Sequence, residues 1–536
     1  MASDVKLVKN LPKFVNYNRA FQYSMLFSNK IRSLREAKNI TQSTIAKSLG
    51  IGIPMYSRIE RGERSVRKEQ IPIIAEALNA DSEELLKLWL ADQMSTLMDG
   101  ESNVFNEVVD IVKKGSQEMY RKTKKYTFID LFAGCGGLSE GFLQTGKYEG
   151  LAHVEWESPM VNTLRHRLVD KWGHSEIDAM NRVIKFDVQK TEELFHGNWS
   201  EESRKLYSKE NSDLIVNNGL DALVAGKKVD LIIGGPPCQA YSIAGRAQDP
   251  NSMKDDYRNY LFESFVKIVD HYKPDVFVFE NVPGLLSACP GDKPVRIRIF
   301  EAFKAIGYDI RTPETLKNSV YCAEDFNVPQ KRNRVIIIGV RNCSEYKLED
   351  FYTSLDSHKS KLPHKTVRDA IGHMPKLLPL DVPEKNGRAN VSHKQQSGES
   401  VDLHYSRYHG PRDLKLFKEW LENNMNTFSQ EDKMAFYTKV TGHTSNHVKY
   451  RSLEWDKPSP TIVAHLQKDG YMFIHPDAEQ LRTISIREAA LLQSFPEDYS
   501  FLGSNPYCFK MIGNAVPVQF AKGIAESIYD ILNKDK

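Results

Sequence analysis

Apolar residues recur along this chain in more than one rhythm. From Phe27 to about Gln93 they return every three to four positions: Ile31 and Leu34, then Ile45, Ala46 and Leu49, then Ile71, Ile74, Ala75 and Leu78. That spacing predicts a series of short helices. Residues 1–25 read as a polar arm that carries aromatics. Residues 96–125 read as a linker, helical at first through Val104, Val108, Ile111 and Val112, then basic from Arg121 to Lys125. Beyond it the apolar runs become short and continuous: Tyr126–Phe132, Gly150–Val154, Val183–Phe186, Val229–Ile233, Val276–Glu280 and Val335–Val340. Helical patterns such as Tyr257–Tyr272 lie between them. Strands alternating with helices predict an α/β fold with a parallel sheet. From about Arg341 to Pro460 the periodicity fades into a polar stretch rich in His, Lys, Ser and Asn, which reads as an inserted irregular domain. Helical patterns return at Ile486–Gln493 and Phe520–Leu532, and no internal repeat is present.

The chain has 536 residues, more than one hydrophobic core usually serves, so several domains are expected. Its net charge of +3 says little about partners. The distribution of charge says more, because Lys30–Lys68 holds ten Lys and Arg against three acids. Such an excess suits either a nucleic-acid face or a solvated helical surface. Six cysteines (Cys135, Cys238, Cys289, Cys322, Cys343 and Cys508) form no CxxC pair. That argues for a reducing cytoplasm and against structural zinc, and no metal is expected. No secretory leader and no run of about 18 apolar residues appears, so no membrane span is expected.

Candidate chemistry gathers where strands end. Asp130-Leu131-Phe132-Ala133-Gly134-Cys135-Gly136-Gly137-Leu138 follows a strand and opens a helix, which suits a nucleotide-type cofactor or simply a tight turn. Glu155 ends the second strand, where a carboxylate can hold a ribose hydroxyl, and Asp187 follows the third; either alone could be a helix cap or a surface charge. Gly234-Gly235-Pro236-Pro237-Cys238-Gln239 ends another strand. A thiol held behind two prolines at such a place is a candidate nucleophile rather than a buried hydrophobe. Glu280 ends the next strand and would lie near Cys238, able to donate a proton or hydrogen bond. Arg332 and Arg334, two apart on a strand, share a face.

The ordered series DLFAGCGG, EW, FDV, GGPPCQAYS, FENVPG, QKRNR and GNAVP resembles the motif set of DNA cytosine-5 methyltransferases. It runs from Tyr126 to Lys536. The resemblance implies a Rossmann-like S-adenosylmethionine-dependent methyltransferase sheet, with a smaller irregular target-recognition domain inserted and an all-α helix-turn-helix domain in front. The implied divisions are a catalytic domain at 126–343, a target-recognition domain at 344–504 and a C-terminal segment at 505–536 completing the catalytic domain. It assigns attack on cytosine C6 to Cys238, engagement of N3 and the exocyclic amine to Glu280, contact with O2 to Arg334, and support of the nucleophile region to Arg332. S-adenosylmethionine would be held by Phe132, Gly134, Gly136 and Leu138, by Glu155 on the ribose, by Trp156 and Asp187 on adenine, and by Leu261, Asn514 and Val516. Tyr241 and Met511 stand where the family often has Phe and Gln. The target base must leave the duplex to react. In the target-recognition segment Arg407, His409, Arg412, Lys439, His443, His447, Lys449 and Arg451 are donors suited to bases or phosphates. Of these, Arg407, His443 and Arg451 are taken as DNA contacts. His443 and His447 lack a third ligand, so zinc is not expected.

Residues 26–95 resemble the helix-turn-helix of phage-repressor-like regulators. Thr41 caps a helix that ends at Gly50, and Tyr56–Gly62 forms a second. Gln42, Ile53, Ser57 and Arg58 are the DNA-facing candidates, although Gly52, Ile53 and Pro54 offer little hydrogen bonding to bases. A protein-binding or structural module is the rival reading. The implied partners are double-stranded DNA, the chain's own promoter and a cognate restriction endonuclease, at the nucleoid in a bacterial cytoplasm. An RNA methyltransferase and a regulator with a spent catalytic domain are the competing functions. The long target-recognition segment argues against the first, and intact Cys238, Glu280 and Arg334 against the second.

Overall fold

The computed structural model describes residues 25–97, 125–237, 261–290, 292–386 and 389–534. Nearly all of the arm, most of the linker, Cys238 and the start of the 257–272 helical pattern lie outside the described residues. The chain divides into two compact units between Thr123 and Lys124.

The first unit is a set of helices: α1 (Leu26–Ala37), α2 (Gln42–Ser48), α3 (Ile53–Glu60), α4 (Ile71–Ala77) and α5 (Ser82–Leu97). Thr41 caps α2 by accepting from the Thr44 amide at 3.3 Å, a contact that satisfies one of the amides a helix start leaves unpaired. The three-to-four spacing of Ile31, Ile45, Ile59, Ile74 and Leu78 gathers these residues into one core. Buried Glu60 ties three elements together. Its carboxylate accepts from Arg35 Nε at 2.5 Å and from Gln42 Nε2 at 2.7 Å. Asp92 in α5 reaches back to accept from the Leu26 and Phe27 amides at the start of α1.

The second unit is built on an eight-stranded sheet in the order β3-β2-β1-β4-β5-β9-β6, with β7 also on β9. The strands are β1 (Tyr126–Leu131), β2 (Tyr148–Glu155), β3 (Val183–Lys185), β4 (Leu231–Gly234), β5 (Val276–Asn281), β6 (Tyr308–Asp309), β7 (Val320–Cys322), β8 (Gln330–Lys331) and β9 (Asn333–Arg341). The first five run parallel, and β9 returns antiparallel to β5. Both faces are buried, which is why these strands are continuously apolar rather than alternating. Ile232, Phe277 and Phe279 face one core with Phe265 and Ile268 of α8 (Leu261–Tyr272). Leu231, Ile233 and Val278 face the other, with Phe142 of α6 (Gly137–Gln144) and Phe520, Ile524 and Ile528 of α13 (Val518–Leu532). The helix α7 (Ser158–Asp170) follows β2.

The end of the chain thus returns to its first strands. The Tyr126 hydroxyl donates to the Leu532 carbonyl and that of Tyr148 to the Ala525 carbonyl, both at 2.7 Å. Nor does everything after Arg341 leave the sheet. Helix Leu348–Ser357 buries Phe351, Tyr352 and Leu355 in the core of Ile336 and Ile338.

The inserted stretch is more ordered than its faded periodicity suggests. It holds a hairpin of β10 (Leu377–Asn386) and β11 (Ala389–Gln395) and two twelve-residue helices, α9 (Pro411–Glu422) and α10 (Gln430–Thr441). Leu416, Phe417, Trp420, Met425, Tyr450 and Ile474 make its core. A further core joins this region to α7 and to the helices α11 (Ile486–Leu492) and α12 (Asn505–Asn514). The short β12 (Ser459–Pro460) pairs with β8. Among the described residues no helix is long and apolar enough to cross a membrane.

The crossing of α6 and α13 depends on Gly141. A Cβ there would lie 2.4 Å from Ala521 Cβ and 2.6 Å from the Lys522 amide nitrogen. Gly141→Ala should therefore force the helices apart and cost about 1–3 kcal/mol, as overpacked cores do. Equilibrium urea unfolding of the two proteins reads that difference.

Candidate active site

Parallel strands leave a crevice beyond their carboxyl ends, where side chains from several strands can converge. Here the ends of β1, β2, β4 and β5 lie side by side, joined by the start of antiparallel β9.

At the end of β5, Glu280 turns its carboxylate over the loop that ends β4. A Cβ on Gly235 would lie 2.7 Å from Glu280 Oε2, so a larger residue there would push the carboxylate aside. Asn281 fixes the same loop by donating from Nδ2 to the Pro236 carbonyl at 3.3 Å. Arg334 pairs with Glu280, Nε to Oε1 at 2.6 Å, with both side chains only 11–12% exposed. Partly desolvated pairs of this kind hold each other in place. The next residue after the described Pro237 is Cys238. Glu280 and Arg334 are therefore brought together beside the loop that leads to it.

Exposed Lys331 and Asn333 flank buried Arg332, and Arg334 is half-buried between Asn333 and Val335; the two arginines reach different partners. Arg332 is buried and donates to the carbonyls of Ile462 (2.6 Å), Gly513 (3.0 Å) and Ala515 (3.1 Å). It clasps the C-terminal segment onto β8 and β9. Gln330 and Gln493 extend this clasp, with Gln330 Nε2 donating to Gln493 Oε1 at 3.0 Å and Gln493 Nε2 to the Ile512 carbonyl at 2.7 Å.

The loop after β1 has the shape of a cradle. Phe132, Gly134 and Gly136 all have positive φ, of 58°, 58° and 89°. A Cβ on Gly134 would meet no protein atom within 4 Å, so the loop backbone borders open space. Glu155 secures this loop: Oε2 accepts from the Gly134 amide at 2.8 Å, and Oε1 from the amides of Trp156 (2.7 Å) and Glu157 (2.9 Å). Burial raises the Glu155 pKa, and the three amides oppose that rise. The adjacent Trp156 is 49% exposed, an unusual state for so large an apolar surface. Asp187 lies half-buried after β3, its Oδ1 accepting from the Gln189 amide at 3.0 Å. Leu138 and Val516 are buried in one core and Leu261 in the other, and Asn514 is exposed. An open glycine cradle beside an exposed indole and a ribose-type carboxylate fits a nucleoside-bearing cofactor.

Under the cradle lies a polar cluster that the sequence did not announce. Ser139 Oγ donates to Asp130 Oδ2 at 2.5 Å and meets His153 Nδ1 at 2.8 Å. Burial pushes the Asp130 carboxyl up to about 7 and the His153 imidazole down to about 3. Its visible signal is one polar residue, Asp130 or His153, among the buried positions of each of β1 and β2.

Two of the donors named in the target-recognition segment turn inward. Arg407 donates to the carbonyls of Leu466 and Gln467 and lies over the Phe509 ring at 4.1 Å. Burial lowers its pKa to about 10. Its guanidinium braces the protein interior. His409 is buried and accepts from the Thr483 amide at 3.2 Å. By contrast His443 and Arg451 are exposed. Arg412, Tyr437, His443 and Lys449 line a cavity of 230 Å³ with Tyr471 and Asp469. In the first unit Ile53 is 48% exposed and Arg58 is exposed, while Gln42 is held by Glu60 and Ser57 accepts from Arg61 Nη1 at 3.3 Å.

The family model of C-5 cytosine-specific DNA methylases matches residues 126–197 and 184–530, and a helix-turn-helix model matches residues 31–85. The chain is similar to a type II methyltransferase of Bacillus paralicheniformis, 32% identical over 451 residues that cover 76% of this chain and 99% of the relative. It is also similar to one of Haemophilus parahaemolyticus, 31% identical over 404 residues, 75% of this chain and 86% of the relative. A solved methyltransferase of Entamoeba histolytica, 14% identical, covers 77% of this chain and 100% of its own, with a TM-score of 0.43.

The inward contacts of Arg407 have a measurable consequence. Arg407→Met should destabilise the protein by about 1–3 kcal/mol, because buried carbonyls lose their donor. It should leave DNA affinity unchanged. Urea unfolding and a gel-shift titration together separate a brace from a DNA contact.

Proposed function

The chain belongs to the C-5 cytosine-specific DNA methylases, and from that premise we propose how its own residues carry the reaction. The observation that bears most weight is the Glu280–Arg334 pair standing over Gly235. Cytosine C5 is a poor nucleophile until C6 has taken an electron pair. The Cys238 thiolate attacks C6 of a cytosine swung out of the duplex, at a cost of a few kcal/mol for unstacking. The S–C6 bond forms and the ring electrons shift towards C5 and N3. Glu280 holds N3 and the exocyclic amine, and Arg334 holds O2, so the shifted charge meets fixed partners. S-adenosylmethionine supplies the methyl group that C5 accepts. Loss of the C5 proton and departure of the Cys238 thiolate restore the aromatic ring. A free thiol has a pKa of about 8.5, so the site must stabilise the thiolate or remove the proton during attack.

Trp156 presents its face to the adenine, and Asp187 accepts from the adenine amine. Glu155 takes the ribose hydroxyl: a carboxylate offers about four acceptor positions, and three amides already use it. Leu261, Asn514 and Val516 close the pocket. Arg332 acts indirectly, through the carbonyls of Gly513 and Ala515. On the small domain, Arg412, His443, Lys449 and Arg451 face the duplex. The relatives' type II naming supports a modification enzyme paired with a restriction endonuclease. The helix-turn-helix unit binds the chain's own promoter through α3, with Ile53 against thymine methyls and Arg58 on phosphates.

Cys238→Ser should abolish transfer of tritiated methyl groups to DNA while cofactor and DNA affinities stay at the wild-type value. DNA carrying 5-fluorocytosine should trap the wild-type enzyme, since fluorine cannot leave as the proton does. Peptide mapping that found the adduct on another cysteine would refute the assignment.

A chain starting near Lys122 should methylate the same sequence as the full chain but fail to protect upstream promoter DNA in footprinting. Promoter binding in particular should weaken with salt, as phosphate contacts do. Promoter protection by the shortened chain, or a changed methylation site, would contradict this division of labour.

A further inference from the structure

The cradle loop between Phe132 and Gly136 has little to hold it. Three of its five residues have positive φ, one of them a phenylalanine, a conformation that costs free energy and persists only under outside restraint. Its amides are secured by the Glu155 carboxylate and by the Val154 and Ala133 carbonyls. On the carbonyl side, the Cys135 carbonyl accepts from the hydroxyl of Tyr499, which lies 364 residues away in sequence.

Tyr499 is built to deliver that hydroxyl. The side chain is fully buried. Its ring packs against Phe495 and Phe501, with centroids 4.8 and 5.2 Å away, and the Arg167 guanidinium covers it at 4.6 Å. Arg167 is itself fixed by Glu140 at 2.6 Å and Asp498 at 3.0 Å. Arg487 anchors the Tyr499 carbonyl at 3.0 Å, and its own Nε donates to the Asp402 carbonyl at 3.0 Å. Phenylalanine would fill the same space, so packing does not account for the hydroxyl. Burial pushes the phenol well above its ordinary value, which keeps it a donor. A Cβ on Gly136 would lie 3.2 Å from the same oxygen, so the hydroxyl stands against the loop itself.

We infer that Tyr499 is a positioning residue for cofactor binding: its hydroxyl, bonded to the Cys135 carbonyl, holds the cradle loop in its binding shape. The inference rests on the reading of that loop as the S-adenosylmethionine site.

The test compares Tyr499→Phe with Tyr148→Phe in the full chain. Tyr148 is an equally buried tyrosine whose hydroxyl meets a backbone carbonyl at 2.7 Å, on helix α13 and away from the loop. S-adenosylmethionine binding is measured directly by calorimetry, alongside steady-state methylation and urea unfolding. Tyr499→Phe should raise the Kd and the KM for the cofactor by roughly five- to tenfold, the loss expected for one buried hydrogen bond. Its kcat at saturating cofactor should be unchanged. Tyr148→Phe should shift the unfolding midpoint but leave the cofactor Kd at the wild-type value. Wild-type Kd for Tyr499→Phe, or an equal rise in both variants, would overturn the inference alone. A wild-type chain that bound no S-adenosylmethionine would overturn the reading of the loop and the inference with it.

Discussion

The close approach of backbones at the ends of β1, β4 and β5 is the constraint on which the site depends. Gly234 lies so near β1 that a Cβ would fall 2.3 Å from the Leu131 carbonyl oxygen. One residue later a Cβ on Gly235 would lie 2.7 Å from the Glu280 carboxylate. Without side chains at these two positions, the loop leading to Cys238 settles into the groove between strands instead of standing off it. The carboxylate of β5 and the guanidinium of β9 then meet beside it. The glycine pair is thus a matter of distance rather than of flexibility.

A second layer of the design is polar and buried. Arg332, Gln330 and Gln493 join β8, the loop at Ile462 and the C-terminal segment through backbone carbonyls. The Arg482–Glu488 pair, fully buried, does similar service between α11 and the strand-like segment before it. Burial alone would raise the Glu488 pKa, but Arg482 overrides it and holds the carboxylate well below its usual range. Such groups are costly to bury singly and are tolerated here because they are buried together with acceptors and counter-charges. They make the inserted domain an extension of the catalytic frame rather than a bead on a flexible string.

Much of this was legible in the sequence. The apolar runs marked the strands because both sheet faces are covered, and the repeating spacing of Ile31, Ile45 and Ile74 marked the first helical unit. Gly-Gly-Pro-Pro and Glu280 could be placed at one edge because parallel strands point the same way, whereas Arg334, at the start of antiparallel β9, was placed there only by the family resemblance. The inserted domain was harder. Helix α9 buries only Leu416, Phe417 and Trp420, too few apolar positions to stand out among lysines and glutamates. The inward turn of Arg407 and His409 was hidden for a related reason. Donor side chains look alike in sequence whether they face DNA or a buried carbonyl, and only the fold tells them apart. The bond between Tyr499 and Cys135 spans most of the catalytic unit and leaves no local trace.

The return of α13 to β1 and β2 also orders events during synthesis. Phe128, Phe142, Leu231, Ile233 and Val278 share a core with Phe520, Ile524 and Ile528. Until residues 518–532 have left the ribosome, that face of the sheet is covered only in part, by α6 and the helix Leu348–Ser357. A nascent chain therefore carries a partly uncovered apolar surface until α13 emerges. Chains broken off early keep it, which marks them for chaperones and proteases. Helix α13 is in effect a seal, because the first strands are hidden only once it has docked.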